Sequence, residues 1–228
     1  MTPHQVASRK SPVAGLVSVP LAFLVLASLA AASCAPDPEK ERLKATTQAT
    51  YNKETGRLER LTYDANKNGV IDTWTYMDGT RTLRSEVDAN EDGKVERWED
   101  YGDDGKVEKV ALSRADTGVA DMWLYPGPDG TVARAELSDR SDGAVDRWEW
   151  YEAGVIVRAE EDDNGDGAAD KWETYATGAV VSAAFDENGD GRPDRRLNYG
   201  PGGALLSIES EPDATGAFTK KVDVQREP

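Results

Sequence analysis

Along much of this chain polar and apolar residues alternate one by one, and glycine-rich acidic segments interrupt the alternation at regular intervals. In Asp72-Thr73-Trp74-Thr75-Tyr76 every second position is aromatic, and the turn pair Asp78-Gly79 follows at once. A period of two marks a strand with one face covered, and Asp-Gly at its end predicts a hairpin. The return limbs are rich in aliphatic residues, as in Lys106-Val107-Glu108-Lys109-Val110 and Ala204-Leu205-Leu206-Ser207-Ile208.

The pattern recurs. Gly69, Gly93, Gly118, Gly143, Gly167, Gly191 and Gly216 are 24 or 25 residues apart, and the first five are followed five residues later by Trp74, Trp98, Trp123, Trp148 and Trp172. An acid stands three residues after each of the first six: Asp72, Glu96, Asp121, Asp146, Asp170 and Asp194. A second glycine closes each hairpin, at Gly79, Gly105, Gly130, Gly154, Gly178 and Gly203. After a nine-residue loop only about fifteen residues remain per unit, too few for two ordinary helices but enough for two short strands. The expected fold is therefore all-β: tandem β-hairpin repeats, as an antiparallel meander or a solenoid-like stack, with roughly a dozen strands. Tyr51 to Thr62 reads as a leading half-unit and Ser210 to Val222 as a worn trailing one, as capping repeats are.

The first 33 residues break this pattern. Arg9 and Lys10 precede an apolar run from Val13 to Ala32 that ends in small residues. The run is about long enough to cross a bilayer, but Gly15 and Pro20 interrupt it, and a cleaved signal peptide over 1–33 fits better. Ala31-Ala32-Ser33-Cys34 resembles the lipobox of bacterial lipoproteins, with Ala31 where Leu is usual. That resemblance implies a lipidated Cys34 as the first mature residue, anchoring the chain to the membrane of a bacterial cell envelope. Ala35, in place of the Asp that retains such proteins at the inner membrane, implies sorting to the outer membrane. Residues 34–50, with Pro36, Pro38 and Glu39-Lys40-Glu41-Arg42, read as a tether. The repeat domain is expected over 51–222 and a short tail over 223–228.

Composition narrows the chemistry. Cys34 is the only cysteine and His4, in the leader, the only histidine. A mature chain without imidazole or free thiol has no Ser/His/Asp or Cys/His nucleophilic site and no zinc site built on those ligands. Only carboxylate-pair chemistry survives, and that needs a concave site, so the expected function is non-enzymatic. Of 27 basic residues two fall in the leader, which leaves 25 against 43 acids, a net charge of −18. Such a chain repels nucleic acid and attracts cations.

The acids sit at fixed loop positions. In 64–72, Asp64, Asn66, Asn68 and Asp72 supply side-chain oxygens at positions one, three, five and nine around a glycine at six. Three more loops keep that register: Asp88, Asn90, Asp92 and Glu96; Asp162, Asn164, Asp166 and Asp170; Asp186, Asn188, Asp190 and Asp194. A hard cation such as calcium takes six to eight oxygens, and position seven can offer its carbonyl whatever its side chain. The loops around Gly118 and Gly143 begin with Ser113, Ala115 and Thr117 and with Ser138, Arg140 and Asp142. They are expected to hold the same turn by ordinary hydrogen bonds, which leaves four calcium sites. Asp, Asn and Gly are also common turn residues, but four loops in one register exceed what turn formation alone demands.

These loops resemble the EF-hand loop, and 88–99 and 162–173 match it through the glutamate at position twelve. On a strand, however, residues nine and twelve face opposite ways, which excludes Glu99 and Glu173 as ligands. The loops are closer to the calcium loops of integrin α-subunit hairpins and thrombospondin type 3 repeats. That resemblance covers the loops alone and implies structural calcium without an EF-hand helix pair. The expected role of the array is that of a scaffold or adhesion element, with an envelope protein or glycan as its partner. With only 3 Phe in the chain, the tryptophans and tyrosines are expected to form the core. The alternative is a glycan-binding stripe, with Trp150 as an additional contact.

Overall fold

The computed structural model describes residues 46–224. The expected signal peptide, the Cys34 expected to be lipidated, most of the expected tether and most of the expected tail lie outside the described residues. The fold is all-β: fifteen strands form one antiparallel sheet in strictly sequential order. They are β1 (Thr47–Tyr51), β2 (Leu58–Tyr63), β3 (Thr73–Asp78), β4 (Arg81–Val87), β5 (Arg97–Tyr101), β6 (Val107–Leu112), β7 (Met122–Pro126) and β8 (Val132–Leu137). Then follow β9 (Arg147–Glu152), β10 (Val155–Glu161), β11 (Lys171–Ala176), β12 (Ala179–Phe185), β13 (Arg195–Tyr199), β14 (Leu205–Pro212) and β15 (Phe218–Asp223). The meander is open, with β1 and β15 at its edges. The sheet starts at Thr47, inside the stretch expected to be tether, because Thr47–Tyr51 pairs with β2 from Thr47↔Tyr63 onward. Its sequence, TQATY, has no apolar alternation to signal this.

Hairpin turns lie at one end of the sheet and the long loops at the other. The bulges at the turns, such as the register shift between Tyr76 and Met77 opposite Thr82, add the local twist a long sheet needs.

The tryptophans fall in one row. Trp74, Trp98, Trp123, Trp148 and Trp172 alternate across paired strands with Glu86, Ala111, Glu136 and Glu160. Arg196 holds the same place in β13. Contrary to expectation, all five are only half-buried. The fully buried side chains are on the opposite face, where Met122, Leu124, Ala135 and Leu137 are 3 % exposed or less. Strand periodicity separates two faces but does not say which is covered deeper. Among the described residues no second layer covers that face. Instead, long side chains on odd strands close over small ones on even strands: Ala135, Ala159 and Ala183, on β8, β10 and β12, are all 0 % exposed.

Candidate functional site

All six loops share one backbone path. Position six is a glycine at positive φ, from +77° at Gly118 to +94° at Gly69. Position four is also left-handed in every copy: Lys67, Glu91, Asp116, Ser141, Gly165 and Gly189. Two such reversals turn the position-one side chain inward, where it accepts the position-six N–H: Gly69 to Asp64, Gly93 to Asp88 and Gly167 to Asp162, each at 2.9 Å. The position-nine carboxylate accepts the N–H of position two in all six, at 2.7–2.9 Å. Consecutive loops are coupled, because each position-one N–H from Asp88 onward donates to the position-nine carbonyl of the loop before it, as in Asp88 to Asp72 and Asp162 to Asp146, both 2.8 Å.

The expected ligand residues converge to different degrees. In 88–96 the carboxylate oxygens of Asp88, Asp92 and Glu96 lie within 4.8 Å of one another, close enough to share one cation. Asn90 turns its amide nitrogen outward to Asp116 at 3.0 Å and keeps its oxygen on the Asp92 N–H. In 64–72, Asn66 and Asn68 likewise turn their amide nitrogens to Glu91 of the next loop. In the last two loops the amide points inward: Asn164 donates to Asp170 at 3.0 Å and Asn188 to Asp194 at 2.9 Å. An ion there would have to displace that donor, which needs only an amide rotation. Desolvation opposes ionisation of Asp186, but the N–H groups of Gly191, Gly189, Asp190 and Asn188 outweigh it and hold its carboxyl below the usual range.

Position seven is not inert in every loop. Lys94 places Nζ 3.0 Å from Asp92 Oδ2 and 2.9 Å from the carbonyl oxygen of Asp116. That hydrogen bond lowers the carboxyl of Asp92 and raises the ammonium of Lys94. Here the position-seven side chain competes for a ligand oxygen.

The two loops expected to bind no ion do keep the turn. Ser113 Oγ accepts the N–H of Thr117 at 3.0 Å, and Ser138 Oγ that of Gly143 at 3.2 Å. Glu99 and Glu173 stay out of the loops. They lie on strands, each between a basic residue two positions before and a tyrosine two after.

That last arrangement is a charged core that sequence reasoning missed. Arg147 Nε donates to Glu149 at 2.8 Å, and its two Nη atoms reach Glu161, Glu173 and Tyr175 at 3.2–3.3 Å, across Ala159 of β10. Lys171 Nζ bridges Glu161 and Glu173 at 2.9 and 2.8 Å. Burial opposes ionisation of Glu173, yet its bonds from Lys171 and Tyr175 and the charge of Arg147 hold it below the usual carboxylate range. Burial, then the adjacent glutamates, push the phenols of Tyr101 and Tyr175 up. The signal was the recurrence of basic-Trp-Glu-x-Tyr at 97–101, 147–151 and 171–175.

No protein-family model and no curated protein matches the sequence. Among solved structures, one described as accessory secretory protein 1, 2 and 3 of Streptococcus pneumoniae is similar over 50 % of this chain, at 16 % identity and a TM-score of 0.25. The match spans only 19 % of that chain.

Proposed function

We propose that this protein is a non-enzymatic, calcium-binding repeat lipoprotein of the bacterial cell envelope, held by a lipidated Cys34 and serving as a scaffold or adhesion element. The observation that carries the reading is the convergence of Asp88, Asp92 and Glu96 in a loop whose register three others repeat. Three carboxylates so close repel one another; Lys94 offsets the charge of Asp92 alone, and a cation would join all three. Calcium is a structural ion here: it closes each loop, and the backbone bonds between loops pass the ordering to the next unit. Calorimetric titration of the chelated protein is expected to count about four ions at affinities of ~0.1–1 mM, typical of extracellular modules. Asp88→Ala and Asp162→Ala should each remove one. Absence of saturable binding, or a count unchanged by these substitutions, rejects the reading.

A second reading, a glycan-binding module, is favoured by the row of half-exposed tryptophans at every second strand. Its test is quenching of tryptophan fluorescence by oligosaccharides in the absence of calcium.

A further inference from the structure

The two loops without the oxygen set each hold a guanidinium against the position-nine carboxylate. In 138–146, Arg140 Nε lies 3.4 Å from Asp146 Oδ2 at position nine and 3.8 Å from Asp142 Oδ2 at position five. Its Nη1 donates to the carbonyl of Asp162, first residue of the next loop, at 3.3 Å, and packs so closely on Gly165 that a Cβ there would sit 3.1 Å from it. In 113–121, Arg114 Nε lies 3.1 Å from Asp121 Oδ1. Its Nη1 reaches Asp139, and its Nη2 donates to the carbonyls of Asp121 and Ser138, all at 3.2 Å. Asp121 and Asp146 are only 6 % and 4 % exposed, so each needs a positive partner or a full set of donors. In the other four loops no Lys or Arg among the described residues forms an ion pair with Asp72, Glu96, Asp170 or Asp194.

We propose that Arg114 and Arg140 are tethered cations that decide which loops take metal. This rests on the calcium reading of the other four loops. An arginine supplies at the position-nine carboxylate the charge that an ion supplies elsewhere, and a planar fork with several donors also ties its loop to the next one. It does so at any calcium concentration. The array then divides into two metal-dependent loops, two self-neutralised loops and two metal-dependent loops. The self-neutralised pair lies over the best-packed part of the sheet, where Val110, Met122, Leu124, Leu137 and Ile156 are buried. Removing calcium therefore loosens both flanks and leaves the centre folded, as nearest-neighbour coupling in a repeat array allows.

Two measurements on the full chain test this. In chelator, amide exchange is expected to remain slow in β6 to β10 and to be fast in β2 to β4 and β11 to β14, with calcium restoring the flanks. Arg114→Gln and Arg140→Gln should speed central exchange by about tenfold or more in chelator. Arg140→Lys should recover part of the loss, and Lys106→Gln, which removes the same charge from a hairpin-turn residue whose side chain is 75 % exposed, should do nothing. The double variant Ser138→Asp/Arg140→Asn completes the oxygen set of 138–146 and should bind one more ion than the wild type, whereas Ser138→Asp alone, which keeps the guanidinium on Asp146, should add none. The two readings fail separately. A wild-type count of zero removes the calcium reading and leaves the arginine clamp to be judged by exchange in chelator alone. A wild-type count of about four with no added ion in the double variant overturns the proposal, as does central exchange in the Arg114→Gln and Arg140→Gln variants equal to that of Lys106→Gln.

Discussion

Replacing Arg147 with methionine removes the hub of the buried charged core while keeping most of its volume. The Arg147 side chain is 6 % exposed, and its partners Glu149, Glu161 and Glu173 are 0 %, 13 % and 8 % exposed. Breaking a buried pair from one side costs about 3–5 kcal/mol, because the other charge stays buried. Lys171 still serves Glu161 and Glu173, so the loss concentrates on Glu149 and should fall near the lower figure. At about 2–4 °C per kcal/mol for a domain of this size, the melting temperature should drop by roughly 6–12 °C. Arg158→Met is the control: Arg158 is 53 % exposed, pairs with Glu160 and stacks over Trp150 at 4.5 Å, and such surface contacts contribute about 1 kcal/mol or less. Glu149→Leu added to Arg147→Met removes the buried carboxylate that has lost its guanidinium, though Tyr151 still donates to it, and should recover much of the loss. Thermal unfolding followed by circular dichroism at fixed calcium measures all three. An Arg147→Met shift no larger than that of Arg158→Met refutes the buried network as a source of stability.

Gly167→Ala should cost about 1 kcal/mol, since φ there is +91° and nothing lies within 4 Å of an added Cβ, so the cost is conformational rather than steric; urea unfolding reads it directly. Lys94→Ala should tighten calcium binding at 88–96 by freeing Asp92, which a calcium titration of Lys94→Ala against wild type would register. Stability should also fall at both ends of the pH scale. Glu173 is held below its ordinary 4.5, so its contribution is present above that value and is lost as pH drops through its lower folded value. Tyr101 and Tyr175 are raised above 10.0, so theirs is present below that value and lost as pH climbs past it. Urea midpoints against pH should show both limbs, with Glu173→Gln removing part of the acid one.

The hairpins were readable because glycine spacing and strand alternation are local properties of the chain. The depth of each face was not: it depends on which side chains close over Ala135, Ala159 and Ala183 from the strands on either side. The cluster of Arg147, Glu149 and Glu173 was not legible either, because only the pairing of β9, β10 and β11 brings the three together. In the loops, ligand spacing located the oxygens but not the amide settings, which differ between Asn90 and Asn164 although both occupy position three. Position four escaped notice for a similar reason. Gly165 and Gly189 suit its left-handed backbone, but Lys67 and Glu91 give no hint of it. Arg140 registered only as a departure from the ligand pattern, and Arg114, at position two, did not register, since their roles depend on neighbouring loops.

The most direct test of the calcium account is a thermal melt of the chelated protein with and without about 2 mM calcium. At ~0.1–1 mM affinity each site adds about 0.6–1.8 kcal/mol by mass action, so four sites predict a rise of at least roughly 5 °C. The same concentration of magnesium, which prefers a smaller octahedral site, should do much less. Identical melts in chelator and in calcium would contradict the account and leave the loops as turns.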